Sequence, residues 1–299
     1  MKISKRLICF MLIIAMLSGM GAAFAANAQS GDARAVIGAN LTEDQVAQVY
    51  DIFGIERGSV TELTVTNAEE RRYLEGLVDE SIIGHNSISC VYVKVLDEGE
   101  GLTIGTQNLT WCTQEMFINA LVTAGIYDAE IIVCAPFAVS GTAALTGIFK
   151  AYEDITGEEI DPLAKLAGTQ ELVITGELAD EIGKVDAVEI VNQLKLILNE
   201  TSGMSDEELA VQIRAIAKDM NIALTDSQVS QLITLCRGLE KLDSDQLQQK
   251  VEQLQNTVKK LGEAHEKLTV ITDFIKGVVE KVSEFFQKIF SFFGFGKGE

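Results

Sequence analysis

Histidine, proline and tryptophan are scarce in this chain of 299 residues, which contains two histidines, two prolines and one tryptophan. Two imidazoles are too few for a histidine-rich metal centre. Basic residues are outnumbered as well, since 24 Lys and Arg face 44 Asp and Glu and leave a net charge of −20. Such an acidic surface argues against binding to nucleic acid, which needs basic side chains to displace counterions from phosphates. We therefore expect no nucleic-acid partner, no metal site and no cofactor.

The motifs of common catalytic sites are missing too. The chain has no Walker motif, no dinucleotide glycine fingerprint, no G-x-S-x-G elbow and no C-x-x-C pair. His85, in the stretch Gly84-His85-Asn86, is the one histidine of the N-terminal half, and this context indicates a surface loop rather than a general base. The acidic stretch 97–101 (DEGEG) lacks the spacing of an EF-hand loop. These absences favour a noncatalytic protein without deciding the question.

The N-terminus has the three parts of a secretory signal peptide. Three basic residues among the first six precede an apolar stretch at 7–17, and residues 23–25 (AFA) provide a small-x-small cleavage site. A second cleavage site lies at 26–28 (ANA). The apolar stretch is too short to span a bilayer, so we expect removal rather than anchoring. The sequence thus predicts a secreted protein, extracellular or associated with the outside of the cell envelope.

Four cysteines remain after removal of residues 1–25, namely Cys90, Cys112, Cys134 and Cys236. Outside the cell an even number permits two disulfides in three connectivities, among which the sequence does not choose. The alternative is a set of buried free thiols, because Cys90 and Cys134 fall in predicted strands and Cys236 lies on the apolar stripe of a predicted helix. We favour free thiols.

Strand and helix patterns alternate between about 35 and 165. Helices are predicted at 41–53, 68–78, 115–124 and 142–155. Strands are predicted at 59–65, 88–96, 102–110 and 129–135. Elements in this order favour an α/β domain with a mixed sheet. The glycine-containing stretch 97–101 between two of the strands predicts a hairpin.

From about 160 onward the strand patterns nearly vanish and apolar residues recur at helical spacing. The predicted fold class is an α/β N-terminal domain with a mixed sheet, followed by an all-α region that ends in a long amphipathic helix. The predicted divisions are a signal peptide at 1–25, an α/β domain at 26–165, a helical region at 166–243 and a heptad-patterned C-terminal segment at 244–299. Capping boxes, in which two side chains satisfy free backbone donors, are predicted at Asn67 with Glu70 and at Ser205 with Glu208.

The C-terminal segment has the strongest periodic pattern in the chain. Apolar residues recur every three or four positions from Leu247 to Phe293, with His265 and Thr272 as the two interruptions. A sustained 3.5-residue period is what coiled-coil packing requires. Three interpretations stay open: packing on the protein's own core, lying in a membrane surface, or pairing with another copy. The candidate residues for membrane binding or self-association are Phe274, Phe285, Phe286, Ile289, Phe290 and Phe293.

The segment 135–147 is the stretch most similar to a functional loop, because it follows a predicted buried strand and begins a helix. Ligands of open α/β sheets bind at the carboxyl ends of strands, and helix N-termini attract anions. Ser140, Gly141 and Thr142 are therefore the candidate ligand-binding residues, for a small anionic ligand or for a hydrolase. The structural alternative is a Ser/Thr cap whose small neighbours let the helix lie close to the sheet.

The same region resembles a known family. Residues 136–153 (PFAVSGTAALTGIFKAYE) are similar to the hallmark of the YpuA-like secreted proteins of Gram-positive bacteria, the domain of unknown function 1002 family. Residues 119–125 (NALVTAG) and the L-T-x-x-Q pattern at 41–45 are also similar to that pattern. The resemblance covers about 32–260 and implies an exported protein. It supplies no catalytic residues, and the role of the segment beyond about 265 rests on its periodicity.

The predicted function is that of an exported, noncatalytic interaction protein, extracellular or associated with the cell envelope. Its expected partners are a membrane surface or a second copy of the chain, reached through the C-terminal helix. The alternative function is a small anionic-ligand binder or hydrolase that uses Ser140, Gly141 and Thr142.

Overall fold

A computed structural model describes residues 31–74, 76–77 and 80–253. The chain divides into two compact units, Met1–Gln248 and Gln249–Glu299. The predicted signal peptide at 1–25 lies outside the described residues, and so does the phenylalanine-rich stripe from Phe274 to Phe293. Of the predicted C-terminal helix, residues 244–253 are helical and the remainder is likewise outside the described part.

Strands and helices alternate through the first half of the described chain, as predicted. The strands are β1 (Ala33–Gly38), β2 (Thr61–Val65), β3 (Cys90–Val95), β4 (Leu102–Leu109) and β5 (Ala129–Val139). The helices interleaved with them are α1 (Glu43–Phe53), α2 (Asn67–Leu74), α3 (Glu80–Ile83), α4 (Gln114–Thr123) and α5 (Ala143–Thr156). The helices that follow are α6 (Pro162–Ile182), α7 (Lys184–Leu196), α8 (Leu198–Thr201), α9 (Asp206–Asp219) and α10 (Asp226–Leu239).

The five strands form one mixed sheet in the order β2-β1-β3-β5-β4. β1 pairs with β2 and β5 pairs with β4 in parallel, whereas β3 is antiparallel to both β1 and β5. The predicted hairpin between β3 and β4 is wrong, because β5 lies between these two strands. Asp128, just before β5, accepts hydrogen bonds from the backbone nitrogens of Gly99 (2.9 Å) and Gly101 (2.7 Å). The connection 97–101 does contain a tight turn, in which the backbone nitrogen of Glu100 donates to the carbonyl oxygen of Asp97 (3.1 Å), but it is held at the start of β5 and does not join two paired strands.

Helices cover both faces of the sheet. α1 packs on one face, where Val46, Val49 and Phe53 meet the side chains of Cys90 and Cys134. α4 and α5 pack on the other face, where their apolar side chains and those of the strands form the larger apolar core. Close approach of α5 depends on one glycine, because a Cβ atom at Gly147 would lie 3.2 Å from Cγ2 of Val91.

α6 is the longest described helix, with 21 residues, and it packs against α4, α7 and α10. Two glycines set its distance from its neighbours. A Cβ atom at Gly168 would lie 2.5 Å from the carbonyl oxygen of Ala120 in α4. A Cβ atom at Gly176 would lie 2.3 Å from Cζ2 of Trp111. Since real Cβ atoms do not approach so closely, a larger residue at either position would push α6 outward.

Of the two predicted capping boxes, the one at 205–208 is confirmed, with both reciprocal hydrogen bonds present. The box predicted at Asn67 and Glu70 is wrong by one residue. The backbone nitrogen of Thr66 donates to Oε2 of Glu69 (2.8 Å), and the nitrogen of Glu69 donates to the Thr66 hydroxyl (3.2 Å). Because Thr66 and Glu69 satisfy the helix end, the side chain of Glu70 is free to turn inward.

Candidate functional site

The candidate residues Ser140, Gly141 and Thr142 form the turn between β5 and α5, as the sequence predicted. Gly141 has a φ of +101°, a conformation that side-chain-bearing residues rarely adopt. A Cβ atom there would also lie 3.3 Å from Cβ of Cys112 and from Cδ2 of Leu109. The turn is thus pressed against its neighbours in the sheet layer, and glycine is required for both conformation and space.

Both hydroxyl groups of the turn are engaged by the rest of the fold. Ser140 Oγ donates to the carbonyl oxygen of Ile82 (2.9 Å), and Thr142 Oγ1 donates to Oε1 of Glu70 (2.6 Å). The two hydroxyl oxygens lie 3.3 Å apart. Thr142 occupies the N-cap position of α5 but makes no side-chain cap bond, because its hydroxyl is committed to Glu70. The structure therefore assigns the turn a role in joining α2, α3 and α5.

Glu70 is the residue at this site that sequence reasoning missed. Its carboxyl group is 1% exposed and accepts a second hydrogen bond from Nδ2 of Asn67 (3.3 Å). Burial raises the pKa of Glu70, and the hydrogen bonds from Thr142 and Asn67 only partly oppose this shift. The sequence pattern pointed to Glu70 as a helix-capping residue, so its contact with a turn 72 positions away was not foreseeable.

A second buried polar cluster joins α4, α6 and α7. Lys195 Nζ lies 2.5 Å from Oε1 of Glu171, and neither side chain is exposed. Thr123 donates to Oε2 of Glu171 (2.5 Å), and Lys195 donates to the carbonyl oxygen of Asn119 (3.1 Å). Burial raises the pKa of Glu171 and lowers that of Lys195, while the attraction between the two groups opposes both shifts. Neither residue was predicted to have a special role.

A cleft of about 500 Å³ lies at the other end of β5 from the turn. Four parts of the chain line it: the α4–β5 connection, Tyr152 near the end of α5, the α5–α6 connection, and residues 241–247 after α10. Its apolar lining includes Val122, Ile160 and Leu242. None of its lining residues belongs to the predicted site, and sequence reasoning missed it because its walls come together only in three dimensions.

Acidic side chains dominate the charge of this cleft. Among the residues that the structure describes, four carboxylates line it, against the single ammonium group of Lys241. Asp161 accepts hydrogen bonds from the first backbone nitrogens of α6, at 2.8 and 3.0 Å, and Asp243 accepts one from the nitrogen of Gln246 at 3.0 Å. These two acids therefore serve as helix caps. The other two, Glu158 and Glu159, are exposed.

Two tyrosines form the aromatic part of the cleft. Tyr127 and Tyr152 are both half-buried. Burial is the main cause that raises the pKa of each phenol, and carboxylates add to it: Asp243 acts on Tyr127, and Asp128 and Glu158 act on Tyr152. Both hydroxyl groups therefore stay protonated at neutral pH and lie in a field of negative charge.

The geometry of the described residues does not support a catalytic histidine, a reactive cysteine or a metal site. His85 is exposed in its loop. The four cysteines are free and buried, and burial raises the pKa of Cys90 to about 12, so its thiol stays protonated. Among residues 31–74, 76–77 and 80–253, no group of three or more His, Cys, Asp or Glu side chains could hold a metal ion. No helix of the same residues is long and apolar enough to cross a membrane.

Comparison with known proteins agrees with the resemblance seen in residues 136–153. The chain is 36% identical over 270 residues to "Uncharacterized protein YpuA" of Bacillus subtilis (strain 168), which covers 89% of this chain and 90% of that protein. No solved structure matches the chain. The family model described as "Protein of unknown function (DUF1002)" matches residues 37–257, which include strands β2 to β5, the turn at 140–142 and the cleft. The chain therefore belongs to the DUF1002 family.

Proposed function

We propose that this protein is exported and acts outside the cell, or at the outside of its envelope, as a noncatalytic interaction protein. Export is supported by the basic, apolar and small-residue parts of residues 1–25. Interaction is supported by the apolar stripe of the C-terminal segment, which must be covered by some surface in water. The partner is a membrane surface or a second copy of the chain.

The observation that carries the noncatalytic part of the proposal is the closed hydrogen-bond network at the turn. Thr142 is 2% exposed and bonds to the buried Glu70, while the hydroxyl of Ser140 bonds to a backbone carbonyl. A nucleophilic serine needs a base within hydrogen-bond reach, and the partner of Ser140 is a carbonyl oxygen that cannot accept its proton for catalysis. The turn therefore serves the fold.

The alternative, an anionic-ligand binder or hydrolase at the same turn, has less support. An anion placed here would meet the carboxyl group of Glu70, and binding would require that group to stay protonated. It would also displace the hydrogen bonds that tie the turn to α2 and α3. Loss of these bonds would leave buried polar groups unsatisfied.

The proposal is tested on the mature chain, residues 26–299. Analytical ultracentrifugation reports self-association, and flotation with vesicles of anionic and of zwitterionic lipid reports membrane binding. We expect one of the two interactions, and we expect it to be lost when Phe285, Phe286 and Phe290 are replaced by serine. The matched control replaces Val185 and Val211 by serine, because these are apolar residues of the described part with 82% and 69% exposure. The proposal is contradicted if the chain stays monomeric and binds neither kind of vesicle.

Export is tested separately in a Gram-positive host that expresses the full-length gene. We expect the protein outside the cytoplasm and shortened at its N-terminus, starting at Ala26 or Gln29 according to which cleavage site is used. Substitution of both Ala23 and Ala25 by a bulky residue should block the first cleavage. An uncleaved chain confined to the cytoplasm would contradict export without affecting the interaction test.

A further inference from the structure

The cleft beside Tyr127 and Tyr152 has the volume of a ligand site. Its volume of about 500 Å³ lies within the range of about 300–1,000 Å³ that small-molecule sites occupy. Such sites combine an apolar lining with a few polar groups that fix orientation. This cleft has both, since Ile160 and Leu242 are apolar and two phenols and several carboxylates lie around them.

The charges in the cleft select the class of ligand. Four carboxylates against one ammonium group leave a formal charge of −3 among the lining residues. Asp161 and Asp243 are engaged as helix caps, but within the described part of the chain neither Glu158 nor Glu159 has an ion-pair partner. An anion would meet repulsion here, whereas a cation would gain two carboxylates that form no ion pair within the described residues.

The two tyrosines favour an organic cation among the possible cationic ligands. The face of an aromatic ring attracts an ammonium or guanidinium group within about 6 Å, and the attraction is strongest when the cation is partly desolvated. Both rings are half-buried and line the same cleft as the exposed Glu158 and Glu159, so aromatic and negative groups occur together there. Leu163 at the same cleft is 52% exposed and offers apolar surface to the stem of a ligand.

We propose that this cleft binds an organic cation on an apolar stem, and specifically the side chain of a lysine within an extended peptide. The stem lies against Leu163 and Leu242, and the ammonium group lies between the tyrosine faces and the carboxylates of Glu158 and Glu159. This site is separate from the phenylalanine-rich stripe on which the proposed function rests, because its lining residues fall within 122–247 and the stripe lies at 274–293. It also does not depend on where in the cell the protein acts.

Isothermal titration of the mature chain with trilysine tests the proposal, with trilysine acetylated on all side-chain amines as the comparison ligand. We expect trilysine to bind and the acetylated peptide to bind at least about tenfold more weakly, a difference of about 1.4 kcal/mol. Glu158→Gln with Glu159→Gln should weaken trilysine binding by a similar factor. Lys241→Gln should tighten it, because the one opposing charge is removed.

A matched control is needed because the whole chain is acidic and attracts cations from a distance. Glu115→Gln with Glu207→Gln removes the same charge from two exposed positions that do not line the cleft. This control should leave trilysine affinity within about twofold. The proposal is overturned if both double variants lose affinity equally, if the acetylated peptide binds as well as trilysine, or if triglutamate binds more tightly. Thermal unfolding midpoints equal to that of the original chain would show that a loss of trilysine affinity does not come from unfolding of the variant.

Discussion

Lys195 and Glu171 form an ion pair with no exposed surface, and their charged atoms are 2.5 Å apart. The pair joins α6 to α7, and Thr123 and Asn119 connect it to α4. Removing two charges from water is costly, and the mutual attraction offsets that cost only when both partners are present. The packing of α4, α6 and α7 therefore depends on two charged groups, each of which would be destabilising if it were buried without the other.

Replacement of Lys195 by methionine should destabilise the fold strongly, because it leaves the Glu171 carboxylate buried and unpaired. We expect a loss of about 3–5 kcal/mol in the free energy of unfolding, measured by urea denaturation. The double variant Lys195→Met with Glu171→Leu should recover most of that loss, since apolar residues of similar volume suit a buried position.

The control for this prediction is the partly exposed pair between Lys94 and Glu130, whose charged atoms are 3.6 Å apart across neighbouring strands. Lys94→Met should cost less than about 1 kcal/mol, because water screens an exposed pair. Equal effects at Lys94 and Lys195 would show that the buried pair has no special energetic role.

Glu70 should give the unfolding free energy a characteristic pH dependence. Its pKa is raised in the folded protein, so between about pH 4.3, the ordinary glutamate pKa, and its raised folded value the folded state binds more protons than the unfolded state. The stability contributed by this group is therefore present at low pH and is lost as pH rises through the folded pKa.

Glu70→Gln should remove this component, because glutamine does not titrate. Urea denaturation of both proteins from pH 4 to 8 should show the variant gaining stability relative to the original chain as pH rises. The comparison variant Glu69→Gln affects a group whose pKa is lowered, so its difference curve should run in the opposite direction. Parallel curves for Glu70→Gln and the original chain would contradict the raised pKa.

Gly176→Ala should disturb the contact between α6 and Trp111. The added methyl group would lie 2.3 Å from the indole ring, whose nitrogen donates to Asp180 (2.9 Å). We expect a loss of about 1–3 kcal/mol and a shift in fluorescence, which reports this contact directly because the chain has one tryptophan. Trp111→Phe should relieve much of the penalty. Gly203→Ala, where the nearest atom would be 3.9 Å away, is the control and should leave the emission unchanged.

The cysteines of the described residues, Cys90, Cys112, Cys134 and Cys236, should react with a thiol reagent only when the protein unfolds. All four are buried, and burial raises the pKa of Cys236 as well as that of Cys90 to about 12, so the reactive thiolate is rare. We expect negligible labelling in native buffer and four labelled thiols in denaturant. Cys90 and Cys134 lie directly opposite each other on β3 and β5, so the finding of only two thiols would point to a bridge between them.

Local patterns predicted most of the elements but not all of their partners. The helix at Glu43–Phe53 follows from the helical spacing of its apolar residues and from its cap residues Thr42 and Gly54. The strand at Cys90–Val95 follows from its run of β-branched and other apolar residues. The hairpin between β3 and β4 was wrong because strand pairing depends on a third strand, β5, which lies between them and pairs with both. The capping box at Asn67 was wrong because Thr66 competes for the same backbone donors.

At the candidate site, too, the local element was predicted from the sequence and its contact partners were not. The sequence located the turn at Ser140, Gly141 and Thr142, since a buried strand followed by small residues and a helix is a local pattern. It gave no indication of Glu70 as the partner of Thr142, because that contact joins residues 72 positions apart. The cleft could not be predicted from the sequence for a similar reason, because its walls come from four separated segments.

By itself, the amino-acid sequence determined the family, the alternation of strands and helices, the helical character after about 160 and the acidic charge, because each depends on composition or on short-range periodicity. Tertiary structure alone decided the strand order, the burial of Lys195 with Glu171, the closure of the turn by Glu70 and the acidic cleft. These features arise where segments distant in the chain meet, and their energies come from desolvation and packing, which local patterns do not encode.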